Sequence, residues 1–186
     1  MTTTSYAALL RGINVGGHRK VPMAELRAAL TGKGFRGVRT HLQSGNVVFA
    51  PPEGEEGDAG VLAGCVARVV EDRFGFPVDV VVRDHAYLKG VVDSCPFPAA
   101  ELEGRQLHAT YFSGPVDISV YASLDPAAFL PEEFRLGDRV LYLLAPDGLG
   151  RSKLAEALGR CRLPAGTVAT SRNWNTVTRL AELTAP

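Results

Sequence analysis

The first 83 residues alternate between the spacing of strands and the spacing of helices. Apolar positions run together or alternate in the short stretches, and they recur every three or four residues in the longer ones. This pattern first predicts a strand at residues 5–10 and a helix that begins at Pro22 and ends at Gly32 and Gly34. A hairpin follows, with a strand at residues 35–43 that has Val38, Thr40 and Leu42 on one face, a turn at residues 44–46 and a strand at residues 47–50. The pattern then predicts a loop at residues 51–58, a helix from Asp58 to Gly75 and a strand at residues 77–83.

The rest of the chain repeats this order of elements. It predicts a short helix from Asp84 through Val92, a linker marked by Pro96, Pro98 and Gly104, a strand at residues 107–112, a helix candidate at residues 118–130 that Pro126 interrupts, a hairpin of strands at residues 134–136 and 140–144, a helix after Asp147 and Gly148, a strand at residues 167–170 and a last helix at residues 174–183. The polar residues at 171–176 have the composition of a helix start.

The order strand, helix, strand, strand, helix, strand is that of ferredoxin-like domains. We therefore predict an α+β protein made of two ferredoxin-like (β-α-β-β-α-β) halves packed into one compact protein. Residues 1–83 form the first half, residues 84–106 a helix and linker, and residues 107–186 the second half with an extra C-terminal helix. Because the halves share an order of elements without visible sequence identity, we expect a structural duplication.

Composition narrows the class of protein. Twenty basic and twenty acidic residues give a formal net charge of zero, which argues against a general nucleic-acid coat protein but allows a local basic patch. No apolar run reaches the ~20 residues that span a bilayer, and residues 1–10 lack the pattern of a signal peptide. The three cysteines, Cys65, Cys95 and Cys161, are widely separated, which favours reduced thiols over a disulfide framework. We expect a cytoplasmic protein without membrane contact.

Residues 11–20 carry three glycines and four basic or titratable side chains. Glycines allow successive N–H groups to converge on an anion, and the helix predicted next adds partial positive charge. Gly12 and Gly17 have the spacing of a P-loop, but His18 stands where that motif has lysine, and no hydroxyl residue follows Lys20. The G-x-G-x-x-G pattern is absent as well. The segment predicts either an anion-binding loop of neither type or a connection whose basic side chains are merely solvated.

Two further polar groups accompany this loop. Gln43 and Asn46 flank the turn of the first hairpin, where they either face a neighbouring site or serve the turn alone. Residues 148–153 and 171–176 each begin a predicted helix, so free N–H donors, hydroxyl caps and basic side chains coincide there. Helix capping alone also explains both segments. Trp174 is in helical register with the apolar residues that follow it, which favours a core position.

The sequence contains no arrangement that defines a catalytic or metal centre. The four histidines lack the spacing of metal ligands, and no cysteine, histidine or carboxylate pairs with a nucleophile. We therefore expect no metal and no cofactor. His18 is the one histidine within a candidate site, where it could act as an acid or base.

Four motifs in order along the chain resemble one known family. They are residues 8–18 (ALLRGINVGGH), residues 43–47 (QSGNV), residues 150–153 (GRSK) and residues 172–176 (RNWNT). Together they are similar to the bacterial family catalogued as domain of unknown function 1697. The resemblance implies an uncharacterised single-chain α+β protein inside the cell and supplies no catalytic residues. The acidic loop at residues 51–58 is the main departure, and it affects loop length.

We expect the signature loops to converge on a basic cleft that binds a phosphate-bearing ligand, either a nucleotide or a nucleic acid. The residues expected to bind it are Arg11, Asn14, Gly16, Gly17, Lys20, Gln43, Asn46, Arg151, Ser152, Lys153, Arg172, Asn173 and Asn175. One alternative is a transferase or hydrolase that acts on a phosphorylated small molecule, with His18 as acid or base. Another is a protein-interaction module. The sequence predicts neither a reaction nor an oligomeric state.

Overall fold

The computed structural model describes residues 4–54 and 57–186. Within the loop predicted at residues 51–58, Glu55 and Glu56 therefore lie outside the described residues. The chain divides into two units. The first comprises Met1–Leu88 and Leu180–Pro186, and the second comprises Lys89–Arg179.

The first unit contains a four-stranded antiparallel sheet with two helices against one face. Its elements are β1 (Tyr6–Leu10), α1 (Met23–Gly32), β2 (Arg36–His41), β3 (Asn46–Ala50), α2 (Ala59–Phe74), β4 (Val80–Asp84) and the beginning of α3 (His85–Asp93). The strands lie in the order β2-β3-β1-β4, and every neighbouring pair is antiparallel. This is the strand order that the predicted β-α-β-β-α-β arrangement requires.

The central strand β1 is apolar throughout because both of its faces are buried. Tyr6, Ala8 and Leu10 belong to the core that α1 and α2 cover. Ala7 and Leu9 point to the opposite face and are fully buried as well. A strand buried on both sides reads as a continuous apolar run rather than an alternating one, as the sequence does at this point.

Helix α2 begins and ends at the residues that the sequence indicates. The Asp58 side chain accepts hydrogen bonds from the N–H groups of Gly60 and Val61 at 2.6 and 3.0 Å. Gly75 follows the helix with φ 81°, the left-handed conformation that ends many helices. The predicted cap and the predicted stop are both confirmed.

The second unit contains a sheet of the same order. Its elements are the end of α3, β5 (Leu107–Phe112), β6 (Glu133–Gly137), β7 (Val140–Leu144), α4 (Lys153–Arg160), β8 (Ala169–Asn173) and α5 (Trp174–Leu183), whose last residues belong to the first unit. The strands lie in the order β6-β7-β5-β8, again antiparallel. The α+β class and the repeated order of strands are therefore confirmed.

The helix predicted over residues 118–130 is wrong. Two short 3₁₀ helices stand there instead, at Ile118–Tyr121 and Pro126–Phe129. Asp117 and Asp125 each precede one of them and accept an N–H two residues further on, at 2.9 and 3.0 Å. These local side-chain bonds satisfy backbone groups that a continuous helix would otherwise pair, so the segment turns twice rather than winding once.

The strand predicted at residues 167–170 extends further, and the helix start predicted at residues 171–176 is shifted. Arg172 lies in β8, opposite Ala109 of β5, and α5 begins at Trp174. Asn173 supplies the cap, since its side-chain oxygen accepts the N–H of Thr176 at 3.0 Å. Pairing with β5 extends the strand up to the residue that caps the helix.

Gly45 lies where the turn between β2 and β3 touches the end of β1. A Cβ there would lie 2.8 Å from Ile13 Cδ1 and 3.0 Å from Leu10 Cβ, and the φ of Gly45 is 84°. We expect Gly45→Ala to lower the free energy of unfolding by about 2 kcal/mol or more, because overpacking adds to backbone strain. Gly54→Ala is the matched control, since Gly54 has φ 83° and open space. Urea denaturation with equal losses in both variants would contradict the packing argument.

Candidate functional site

The glycine-rich segment forms a small hairpin, which we call the finger (residues 14–21). The N–H of Asn14 donates to the carbonyl of Arg19 at 3.2 Å across its base. Gly16 and Gly17 form the turn at its tip with φ 59° and 79°, both left-handed. A two-residue hairpin turn of this kind requires positive φ at both positions, which glycine adopts without strain.

The side chain of Asn14 fixes the finger to the turn of the first hairpin. Its Nδ2 donates to the carbonyls of Val21 at 3.0 Å and of Gln43 at 2.8 Å, and its Oδ1 accepts the N–H of Val21 at 2.8 Å. The structure therefore brings Asn14 and Gln43 together, and Asn14 has a positioning role. We call residues 11–21 and 42–45 together the twin-loop surface.

Strained backbone is concentrated on the twin-loop surface. In the described part of the chain, the non-glycine residues with left-handed φ are Asn14 (55°), Arg19 (47°), Leu42 (61°) and Arg139 (50°). Three of these four lie on the twin-loop surface. Asparagine tolerates this conformation, but leucine does not, and such strain costs of order 1–3 kcal/mol. Strained residues cluster at functional sites, which marks this surface as a candidate.

The twin-loop surface exposes basic and aliphatic side chains. Arg11, His18, Arg19 and Lys20 are exposed, and neither of its segments contains a carboxylate. Arg11 Nη1 forms an exposed ion pair with Asp79 at 3.4 Å, which contributes little in water. The Arg19 guanidinium lies 6.0 Å from the centre of the Phe76 ring. The surface is therefore positively charged.

Two aliphatic side chains accompany these cations. Val15 is 68% exposed at the tip of the finger, and Leu42 is 57% exposed at the neighbouring turn. The sequence placed Leu42 on the same face of a strand as Val38 and Thr40, but β2 ends at His41 and Leu42 turns outward. Sequence reasoning missed both residues as surface features, because aliphatic residues beside strands normally indicate core.

Asn46 lies inside the hairpin turn. It is fully buried, and its Nδ2 donates to the carbonyl of His41 at 2.9 Å and to Ser44 Oγ at 3.1 Å. Its amide therefore holds the turn in shape. Of the two polar residues predicted at this turn, Gln43 is the exposed one.

In the second unit, the start of α4 already holds a carboxylate. Glu132 accepts hydrogen bonds from Ser152 Oγ and from the N–H groups of Lys153 and Leu154, the latter two at 3.2 Å. Ser152 in turn caps the helix by accepting the N–H of Ala155 at 2.8 Å. The N–H donors that the sequence offered to an external anion thus contact one of the chain's own side chains.

A cavity of about 270 Å³ lies beside this helix start. Arg151, Lys153 and Asp147 line it together with Glu132 and several apolar residues, and the side chains of the first three are exposed. The structure therefore groups Arg151, Ser152 and Lys153, with carboxylates beside the cations.

Arg172 is buried within β8. It is 8% exposed, and its Nη1 donates to Thr170 Oγ1 at 2.7 Å and to the carbonyl of Ser171 at 2.8 Å. Removal from water lowers the pKa of Arg172 to about 10, which still leaves it charged at neutral pH. Asn173 caps α5, and Asn175 is exposed on its first turn.

His108 is a buried titratable group that sequence reasoning did not single out. It is 6% exposed, lies opposite Asn173 on the neighbouring strand, and its Nδ1 has no hydrogen-bond partner among the described residues. Burial lowers the pKa of His108. A single histidine in a run of strand residues gives no signal of this environment.

Residues 4–54 and 57–186 contain neither a cluster of metal ligands nor a helix suited to a membrane. No group of three or more His, Cys, Asp or Glu side chains is arranged to hold a metal ion. No helix there combines the length and the apolar character needed to cross a membrane.

The fold and these groups define an α+β protein whose two units share a strand order, with a strained, basic loop surface on the first unit. The chain belongs to a family described as protein of unknown function (DUF1697), whose model matches residues 3–142. The match confirms the family resemblance and includes the motifs at residues 8–18 and 43–47, whereas the motifs at residues 150–153 and 172–176 lie beyond it.

A solved structure has a similar fold along nearly the whole chain. It is that of the conserved bacterial protein SP0830 from Streptococcus pneumoniae, with a TM-score of 0.74 and 21% sequence identity over 98% of this chain and 99% of that one. At this identity the likeness shows the fold alone. Comparison with curated proteins found no match.

The strain at Leu42 leads to a stability prediction. We expect Leu42→Gly to raise the free energy of unfolding by about 0.5–1 kcal/mol, because relief of the left-handed strain exceeds the entropic cost of glycine. Arg139→Gly is the matched control, with φ 50° in another turn. Urea denaturation should show gains of similar size in both. A loss of stability in the Leu42 variant would mean that this side chain packs in the folded state.

The environment of His108 leads to a prediction about pH. Because its folded pKa lies below the unfolded value of about 6.5, the unfolded chain takes up the proton first as pH falls. Stability linked to His108 is therefore fully present above about pH 6.5 and is lost below it, by up to about 1 kcal/mol at pH 5.5. Denaturation at pH 7.5 and 5.5 should show a smaller loss in His108→Phe and in His108→Gln. The exposed His18→Gln should keep the wild-type loss, and an unchanged loss in both His108 variants would refute the assignment.

Proposed function

We propose that this protein binds a phosphate-bearing ligand and that the ligand is a nucleic acid whose phosphates lie against the twin-loop surface. The observation that supports the proposal is the finger, a hairpin anchored at its base that presents Arg19 and Lys20 to solvent. Cations held on a preorganised backbone lose little entropy when they contact phosphates. Neither segment contains a carboxylate, and although Asp79 pairs with Arg11, Arg19 and Lys20 keep the local charge positive.

The shape of the surface favours a nucleic acid over a free nucleotide. Small ligands are normally enclosed in concave sites, whereas a hairpin that ends in a tight two-residue turn is convex. A two-stranded ribbon has a width that a nucleic-acid groove accommodates, and backbone phosphates line that groove. The zero net charge of the chain suggests that binding depends on this surface rather than on general attraction.

The proposal assigns the contacts to the exposed donors. Arg11, Lys20 and Gln43 are retained from the sequence prediction, and Arg19 is added to them. Arg151 and Lys153 form a second, separately testable pair. Arg172 is omitted as a direct contact because its guanidinium is buried and bonded within its own strand.

The remaining alternatives receive less support. His18 is exposed on the finger, so no enclosed pocket surrounds it to favour a transferase or hydrolase. Trp174 is 7% exposed and contributes to the core, so it offers no apolar surface to a protein partner. We therefore propose binding without catalysis.

The test is binding of a labelled 20-base-pair duplex at several salt concentrations. We expect the logarithm of the affinity to fall linearly with the logarithm of the salt concentration, with a slope of about 0.9 per phosphate contact. Arg19→Ala with Lys20→Ala should reduce that slope by about 2 and weaken binding at every sequence.

Two further double variants complete the experiment. Lys33→Ala with Arg68→Ala removes two exposed cations of the same unit and should leave the slope unchanged. Arg151→Ala with Lys153→Ala shows whether the second pair contributes contacts. Absence of salt-dependent binding in the wild-type protein, or an equal effect of the Lys33 and Arg68 control, would refute the proposal.

A further inference from the structure

The exposed aliphatic side chains of the twin-loop surface point to a particular kind of nucleic-acid site. Val15 and Leu42 are each adjacent in sequence to one partner of the 2.8 Å hydrogen bond between Asn14 Nδ2 and the Gln43 carbonyl, so they belong to the two loops that this bond joins. Both are more than half exposed, and Leu42 also has a strained backbone. The basic side chains of the same surface do not explain why aliphatic side chains are exposed at these positions.

The chemistry of these side chains limits what they can contact. Proteins that bind single strands stack bases on aromatic rings, and the twin-loop surface contains no Phe, Tyr or Trp. Aliphatic side chains instead pack against the flat face of a base pair. Insertion at an internal step costs a few kcal/mol of unstacking, whereas the last base pair of a duplex already has one face open.

We infer that the twin-loop surface recognises the end of a nucleic-acid duplex, with Val15 and Leu42 covering the terminal base pair and Arg19 and Lys20 contacting the phosphates beside it. This inference rests on the proposed function and names the substrate class of the same surface. On the protein, the exposed aliphatic side chains and the basic side chains belong to the same surface. On the end of a duplex, the face of the terminal base pair likewise lies beside the phosphates. This complementarity selects a duplex end over a uniform stretch of backbone.

The test compares a blunt linear duplex with a closed dumbbell of the same stem sequence, whose ends are covered by loops. We expect the wild-type protein to bind the linear form about tenfold more tightly, because two aliphatic side chains are buried only there. Val15→Ser with Leu42→Asn should abolish this preference and keep the salt dependence. Asparagine accepts the left-handed backbone at position 42, so the fold is retained.

The controls separate the inference from the proposed function. Val61→Ser removes an aliphatic side chain that is 63% exposed elsewhere in the same unit and should keep the preference. Conservative Val15→Leu should keep it as well. Equal binding of the linear and closed forms, or a preference that survives in the Val15 and Leu42 double variant, overturns the inference while the proposed function stands. Absence of binding to both forms overturns both.

Discussion

The position of the finger depends on how the chain leaves the central strand of the first sheet. β1 has a partner on each side. At its last residue the N–H of Leu10 donates to the carbonyl of Gly45 at 2.8 Å, and the next N–H, that of Arg11, donates to the carbonyl of Asp79 at 2.9 Å. The chain is thus held between both neighbours until the finger begins. Because β1 is buried on both faces, polar side chains can start only beyond its end. The same constraint produces the core and places the loop.

The two units share a strand order but differ in the loops that connect their strands. In both units, the last strand along the chain ends in an arginine and a residue that caps the next helix. These pairs are Arg83-Asp84 in the first unit and Arg172-Asn173 in the second. Each capping side chain accepts the N–H of the residue three positions further on. Each arginine also donates to the carbonyl of the residue before it. The connections after the first strands differ, since β1 continues into the finger and β5 into two 3₁₀ turns. The finger is therefore an addition to a shared framework.

Sequence reasoning succeeded where one residue acts on its own neighbours. Asp58 and Gly75 set the ends of α2 through groups within a few positions, and β5 has the bounds predicted for it. It failed where a distant partner decides. Pairing with β5 extends β8 to Asn173, and Glu132 reaches the start of α4 across 20 positions. Neither partner is visible from local composition.

The site was predictable in the same limited way. Glycines and basic residues marked the finger, because turns and exposed cations have compositional signatures. The role of Asn14 as the link to Gln43 joins residues 29 positions apart and needed the fold to be seen. Leu42 is exposed although leucine is usually buried, so its hydrophobicity alone predicts a core position. A residue whose exposure differs from the one its hydrophobicity predicts can be placed only from the structure.

The carboxylate of Glu132 has a consequence for how the second unit responds to its surroundings. Because it is tethered to the chain, it stands beside the N–H groups of α4 at an effective concentration of at least the millimolar order. A free anion at lower concentration competes poorly with such an internal ligand. The N–H groups at the helix start of the second unit therefore already have an internal ligand, and phosphate from the medium would have to displace it.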